Sequence, residues 1–517
     1  MSTPETSTTP SPAGRFARFT SWLFCSKTFK WVLFCAVPCL LMLLLAVVWF
    51  EDWRGQRAWE KFRVEWEAKG EKFGWRSLVP PPVPDEENFA KTPLLAGLFN
   101  QKWDPHTKQV KMDEVARERA ESAFPKWNVR NAGNWRLGEP TDLAVILKAH
   151  LDAEKITNAP AGPPAPLLLA ALERYRPGFD ELTAASKLPH ARYDIRYEHG
   201  AATLLPHLGV LRSAARTFHY RAAAHLALGQ TDAALADVKM QFYIARTLRS
   251  EPVLISQLVH IALLESALQD VWDGLVTRRW SDAHLQELQR ELAHEDMLAS
   301  FDFAIRGERD IFSNVFFDTI LAGDREQLRM VFNASGADDA SAVGMRFIPK
   351  GWIYQNKLAV NRMFLEITLP MVDVKARRVF PAKVAASDAR LKTMRTTPYN
   401  IFCKLLFPAV SRSTQRFATM QTSVDQALVA CALERHRLSK GQLPETLDAL
   451  VPSFIAQLPR DVVSGKPVQY RREAAGHFTI WSVGWDGKDD NGTVATKGSS
   501  SVDYDKGDWT WPAPAKK

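Results

Sequence analysis

Arg212-Ser-Ala-Ala-Arg-Thr-Phe-His-Tyr-Arg-Ala-Ala-Ala-His-Leu-Ala-Leu-Gly-Gln-Thr-Asp-Ala-Ala-Leu-Ala-Asp237 decides how this chain folds. Apolar residues recur three and four positions apart on both sides of Gly229-Gln230, the period of an amphipathic helix. Gly229 ends the first helix, and the small alanines let the two helices approach closely. The spacing predicts helices over 212–228 and 231–248, folded back as a hairpin. The same pattern runs from Leu167 to Leu292, rich in Ala, Leu, Arg and Glu. Pro189, Pro206, Gly229, Pro252 and Gly274 divide it into helices of ordinary length. Ser281 stands where an N-cap belongs, ahead of the next helix. Helical pattern continues through Arg306–Arg309 and Ile311–Leu321. It resumes over 352–394 with a break at Pro370, and again from about Ser411 to Leu438. Asn131–Asn134 and Pro160–Pro166 carry turn signals, and Ala334–Val343 reads as a small-residue loop.

The N-terminus has a different composition. Trp31 to Phe50 is an apolar run without a charge. As a helix it spans about 30 Å, the thickness of a hydrocarbon core. Trp31, Trp49 and Trp53 mark its ends as interfacial aromatics do. Pro38 is tolerated in such a helix. No A-x-A site closes the run, so an uncut anchor is expected rather than a cleaved signal. Arg15, Arg18, Lys27 and Lys30 precede the span. Arg54, Arg57, Lys61 and Arg63 follow it, mixed with Glu51, Asp52, Glu60 and Glu65. Basic residues alone therefore nearly tie across the membrane. The layout of a short basic tail and a large C-terminal part favours the N-terminus inside. The expected location is a bacterial inner membrane, single-pass, with the bulk of the chain periplasmic.

Composition bounds the rest. The chain has 517 residues, a formal net charge of +8 and 24% charged residues. Its basic residues are scattered and do not alternate with aromatics, which argues for a solvated surface and against nucleic-acid binding. Of the five cysteines, Cys25, Cys35 and Cys39 flank or occupy the apolar run. Cys403 and Cys431 either pair or, as the more economical reading, remain two buried thiols. No C-x-x-C, G-x-S-x-G, H-E-x-x-H, P-loop or dinucleotide fingerprint occurs. His219 and His225 fall on different helix faces and read as structural. Arg306, Glu308 and Arg309 with Asp302 and Asp310 form a local charge cluster, as do Gln355, Asn356, Lys357 and Arg362. A helix surface with local ion pairs explains both, and no catalytic residue is assigned. The stripe of Trp59, Phe62, Trp66 and Phe73 reads as packing.

The C-terminal stretch ends in Phe478-Thr-Ile-Trp-Ser-Val-Gly-Trp-Asp-Gly-Lys-Asp-Asp-Asn-Gly492, a short alternating strand entering an oxygen-rich loop. Val468 to Arg472 is its expected hairpin partner. Asp486, Asp489, Asp490 and Asn491 offer the oxygens that Ca²⁺ takes, and Asp503, Asp505 and Asp508 are placed to close the shell. The spacing is not that of an EF-hand, because Asn491 falls where that loop needs glycine.

Three resemblances add to this reading. The 220–237 segment resembles a tetratricopeptide hairpin, one partial copy where a solenoid needs about three. Glu67-Ala-Lys-Gly-Glu-Lys72, Pro80-Pro-Pro-Val-Pro-Asp-Glu-Glu-Asn-Phe89 and Thr92-Pro-Leu-Leu95 resemble the juxtamembrane signature of membrane-anchored proteins of Verrucomicrobia and Planctomycetes. That family has no established activity. The order Leu443-Pro444, Leu447, Ala449-Leu-Val451, Leu458-Pro459, Asp461, Gly465, Pro467, Tyr470 and Ser482-Val-Gly484, then Asp486-Gly487, resembles the globular part of the major pseudopilin of type II secretion. That resemblance implies calcium in the loop after the strand. The membrane run lacks the pseudopilin's leading Glu, and several hundred residues intervene, so the module stands on another scaffold.

The expected architecture is mainly α: a single transmembrane helix, a helical-hairpin bundle or short superhelix, and a small C-terminal α+β module with antiparallel strands. The divisions are a tail at 1–30, the span at 31–50, a stalk and Pro-rich spacer at 51–89, a helical body at 90–400, and a long helix plus module at 401–517. The expected function is a membrane-tethered extracytoplasmic binding or scaffolding protein. It would meet the membrane through residues 31–50 and a possible protein partner through the helical body, with Ca²⁺ at the C-terminal loop. The alternatives are an envelope hydrolase with its site in the helical body, or an accessory of a type II secretion-like system.

Overall fold

A computed structural model describes residues 27–104, 109–127, 129, 132–158, 161–334, 348–498 and 501–515. The N-terminal tail, the start of the Asn131 turn and most of the Ala334–Val343 loop lie outside the described residues.

Helix α1 (Lys27–Ala68) carries the apolar run and continues past it without a break. It is long and apolar enough to cross a membrane, and its most apolar stretch has no residue buried against the rest of the chain. Beyond Phe50 its character changes. Trp59 and Phe62 are buried with Leu358 and Leu365, so this half of the helix lies against the body. The partner is α13 (Lys350–Arg362). The two helices meet at glycines: a Cβ on Gly351 would sit 2.2 Å from the Glu51 carbonyl oxygen, and one on Gly55 would sit 2.6 Å from that of Gly351. Only hydrogen side chains allow backbones this close. The Gly351 N–H donates to the Asp52 carboxylate at 2.6 Å.

The body begins with a hairpin of β1 (Gln101–Asp104) and β2 (Gln109–Met112) and the short helices α2 (Glu114–Ser122), α3 (Leu143–Ala153), α4 (Pro164–Leu172) and α5 (Arg176–Ala185). The decisive hairpin follows as α6 (His207–Ala227) and α7 (Thr231–Thr247), then α8 (Leu254–Val276) and α9 (Asp282–Ala293). Gly229 adopts the left-handed turn between α6 and α7. Gly274 does not break the chain. It lies inside α8, where a Cβ would meet the Trp280 indole at 2.1 Å. Ser281 caps α9 in a capping box with His284.

Buried polar pairs lock the hairpins. His219 Nδ1 lies 2.8 Å from Asp270, which also accepts from Gln241. Arg221 grips Asp237 at the α6–α7 contact. His207 pairs with Glu251 and His260 with Glu295. His225 instead meets Gln230 at the turn.

Helix α10 (Met297–Gly307) widens into a π-helical turn, Glu308–Asn314, and continues as α11 (Val315–Ala322) and α12 (Arg325–Ala334). After α13 a second π-helical turn, Met363–Thr368, leads to a hairpin of β3 (Val372–Asp373) and β4 (Arg378–Val379), then α14 (Pro381–Thr393). The sequence pattern there reads as helix broken at Pro370; the hairpin turn rests on Arg377 with φ 51°. Helix α15 (Ile401–Lys440) starts ten residues before the expected Ser411 and accommodates Pro408. Cys403 and Cys431 are both free and buried on α15. At 1.5 Å per residue they stand about 40 Å apart, far beyond disulfide reach.

The C-terminal module is antiparallel. Strand β5 (Gln469–Arg472) pairs with β6 (Phe478–Ser482), as the alternation predicts, and β6 pairs with β9 (Trp509–Trp511). Strands β7 (Val494–Lys497) and β8 (Ser501–Gly507) form a separate hairpin. Asp461 holds the turn before the sheet, accepting from the N–H groups of Val463, Ser464 and Val483.

Candidate functional site: a polar pocket beside the N-terminal helix

The π-helical turn at the end of α10 places Arg309, Asp310, Ser313 and Asn314 in the interior. Such turns add one residue to the helix circumference and are frequent at functional sites. Gly307 precedes it because a Cβ there would collide with the Pro252 carbonyl. Arg309 chelates Asp310 through Nε at 2.9 Å and Nη2 at 2.7 Å. Its Nη1 donates to Glu71 at 2.6 Å, and its guanidinium lies 4.7 Å over the Phe73 ring. Arg306 binds the same Glu71 carboxylate and also Asp302. Burial pushes the Glu71 carboxyl up, but the hydrogen bonds and charges of Arg306 and Arg309 outweigh it and hold it below the usual range.

The network extends into a cavity. Asn314 donates to Asp310 at 2.8 Å and accepts from Asn361 at 2.8 Å. Lys357, buried on α13, donates to Asp318 on α11 at 2.5 Å, and its ammonium lies 4.6 Å over Trp59. Asp310, Asn314, Asp318 and Lys357 line a space of about 610 Å³ together with Trp59, Phe73, Tyr354, Arg63 and Arg76. One wall is therefore α1 and the segment that follows it. The opposite walls are α11 and α13. The pocket offers fixed donors and acceptors between aromatic surfaces, which suits a small polar guest. Its buried charges are already paired: Asp310 by Arg309, Lys357 by Asp318.

Of the two local clusters visible in the sequence, the structure brings Arg309, Asp310 and Lys357 together here. Glu308 points elsewhere, accepting from the Leu254 N–H at 3.1 Å, and burial pushes its carboxyl up to about 7. Asn356 ties the chain before α15, donating to the Pro398 carbonyl at 2.7 Å. Arg362 sits 5.8 Å over Phe62, and Gln355 is half-buried on α13. Glu71 and Asp318 join the site without any signal in the sequence. Glu71 is one acid in the charged run that follows the apolar segment, more than 200 residues from its partners, and no local spacing marks it.

The acidic C-terminal loop is built differently. Asp486 accepts from the Lys488 N–H, and Asp489 accepts from the Trp481 indole and the Asn491 N–H. Asp508 Oδ2 accepts from the N–H groups of Asp490 and Gly492, while its Oδ1 is buried without a partner. Burial, with Asp489 and Asp490 nearby, pushes the Asp508 carboxyl up to about 6. Asp489, Asp490 and Asp508 thus share one side of the loop, while Asp486 turns back on its own peptide. Asp503 and Asp505 take Lys497 between them. Among the described residues, no three acidic, histidine or cysteine side chains converge as a ready metal shell.

No protein-family model, curated protein or solved structure matches this chain.

Proposed function

We propose that this chain is a membrane-tethered, extracytoplasmic binding or scaffolding protein that holds a small polar ligand in the pocket beside its anchor helix. The observation that carries the reading is the convergence of Asp310, Asn314, Asp318 and Lys357 on one cavity with aromatic walls. A hydrolase would need an acid–base couple free to exchange protons with a substrate. Here Asp310 is held by Arg309 and Lys357 by Asp318, which favours binding. The test is a thermal melt of the full chain in lipid nanodiscs against a panel of amino acids, sugars and polyamines. A ligand-dependent rise in melting temperature that disappears in Lys357→Met supports the reading. No rise with any member of the panel counts against it.

Calcium at the C-terminal loop belongs to the same proposal. It is supported by the orphaned Asp508 Oδ1 and by the neighbouring carboxylates of Asp489 and Asp490. Bound Ca²⁺ would supply charge neutralisation there, and Asn491 adds a side-chain oxygen. Melting the chain with Ca²⁺ and with chelator decides it. A higher melting temperature in Ca²⁺, lost in Asp490→Asn, is the expected result.

A further inference from the structure

Ile401 and Leu405 are 52% and 73% exposed at the start of α15. Four residues apart, they share one helix face. Two exposed aliphatic side chains on one face at a helix end form a small apolar patch that is open for something to cover. Their position in the fold says what. Two residues earlier, Tyr399 donates from its hydroxyl to Glu51 at 3.3 Å, and the Arg54 guanidinium lies 5.3 Å over the Tyr399 ring. Glu51 is the first residue beyond the apolar run of α1. The start of α15 is therefore fixed at the level where α1 leaves the hydrocarbon.

The attachment is rigid. Asn356 clamps the turn from both sides, donating to the Pro398 carbonyl and accepting from the Phe402 N–H. Asn400 accepts from the Thr397 N–H and donates to the Arg395 carbonyl. Trp352 stands edge-on to Tyr399, with ring centroids 6.3 Å apart.

The fully exposed charges around the patch are basic. Lys350, Arg390, Lys392 and Arg395 are exposed, and Lys404 lies between the two apolar residues. Of the nearby acids, Glu51 is engaged by Arg54 and Tyr399 and Asp52 by the Gly351 N–H, while Asp388 is half-buried. Apolar side chains, a Trp–Tyr pair and basic residues at one level are the composition of an interfacial membrane contact.

We infer that the first turns of α15 are a second, monotopic membrane contact, with Ile401 and Leu405 entering the acyl boundary and the surrounding basic side chains meeting anionic headgroups. This rests on α1 being a membrane anchor. With two contacts the body is held in one orientation on the bilayer, where a lone helix would let it swivel.

The test uses the full chain in nanodiscs containing phosphatidylglycerol, with Cys25, Cys35 and Cys39 replaced by Ser. Nitroxide labels are placed singly at Leu405→Cys, at Leu228→Cys on the body, and at Leu44→Cys in the anchor. The oxygen-to-nickel-chelate collision ratio at 405 is expected to exceed that at 228 several-fold. It should fall toward the 228 value when Arg390, Lys392 and Arg395 are changed to Glu. Equal ratios at 405 and 228, with the label at 44 in lipid, overturn the inference and leave the anchor standing. A label at 44 in water overturns the anchor reading itself. A label at 405 shielded from both reagents means that protein covers the patch, and this also overturns the inference. An unchanged ratio in the charge variant removes the headgroup contact from it.

Discussion

Glu71 and Glu308 show how two glutamates a short distance apart in space take opposite roles. Glu71 is ionised between two arginines, and its carboxyl is held below the usual range. Its stabilising contribution is therefore present above the ordinary glutamate value and is lost as pH falls through the lowered one. Glu71→Gln leaves Arg309 buried with half its partners, so it should cost about 3–5 kcal/mol in urea unfolding near neutral pH. Glu308 is half-buried against a single peptide N–H, and its loss of water pushes the carboxyl up to about 7. Its stability is full below the ordinary value and is lost as pH rises through 7. Glu308→Gln should therefore match the parent at pH 4 and exceed it by up to about 3 kcal/mol at pH 8. Equal stability of the two at pH 8 would refute the assignment. The sequence displays both residues, but not this contrast. Glu308 reads as one more member of an exposed ion-pair cluster, because the π-helical turn that swings Arg309 and Asp310 inward has no signature in spacing.

At the scale of elements, the periodicity that predicts α6, α7 and α9 works because each buries one stripe against its neighbours. The capping Ser281 and the turn at Gly229 are equally local signals. The docking of α1 is not local. The stripe of Trp59 and Phe62 is plain in the sequence, yet what it packs on, Leu358 and Leu365, lies some 300 residues away. The contact depends on Gly55 and Gly351. Gly351→Val places its side chain in the Glu51 carbonyl and should cost about 1–3 kcal/mol. Trypsin should then cut faster after Lys69, Lys72 and Arg76, because the segment tethered by Glu71 loosens with the helix. An unchanged cleavage rate would mean that the glycine crossing does not hold helix α1. The β3–β4 hairpin was hidden for a related reason: two residues per strand are too few to show alternation.

For the molecule as a whole, the end of the chain closes the fold. Trp511 is buried against Trp135, with centroids 4.8 Å apart, and the Trp272 indole donates to the Pro512 carbonyl at 2.9 Å. The Ala515 N–H reaches the Gly138 carbonyl at 2.9 Å. Strand β9 thus joins the C-terminal sheet to the first third of the body, and Gln426 on α15 donates to the Trp509 carbonyl at 2.7 Å. Trp511→Ala should lower stability by about 3–5 kcal/mol, and the loss should show in one transition shared by near-UV and far-UV signals. Two separate transitions would show that the module melts by itself. A division of the chain near residue 400 follows composition. The tryptophans of the final strand, which the sequence offers only as a Trp-Thr-Trp triplet near the terminus, tie the two parts into one core.

Helix α15 also acts as a spacer. Gln415 and Gln426 are the residues that hold Tyr504 and Trp509. Measured along the helix, they lie about 20 and 40 Å from Ile401. With the proposed membrane contact at Ile401 and α15 rising away from the bilayer, a cation held at the C-terminal loop would stand about two Debye lengths or more from lipid charge at physiological salt. Its occupancy would follow the bulk ion concentration of the compartment, untouched by the enrichment of divalent ions at an anionic surface.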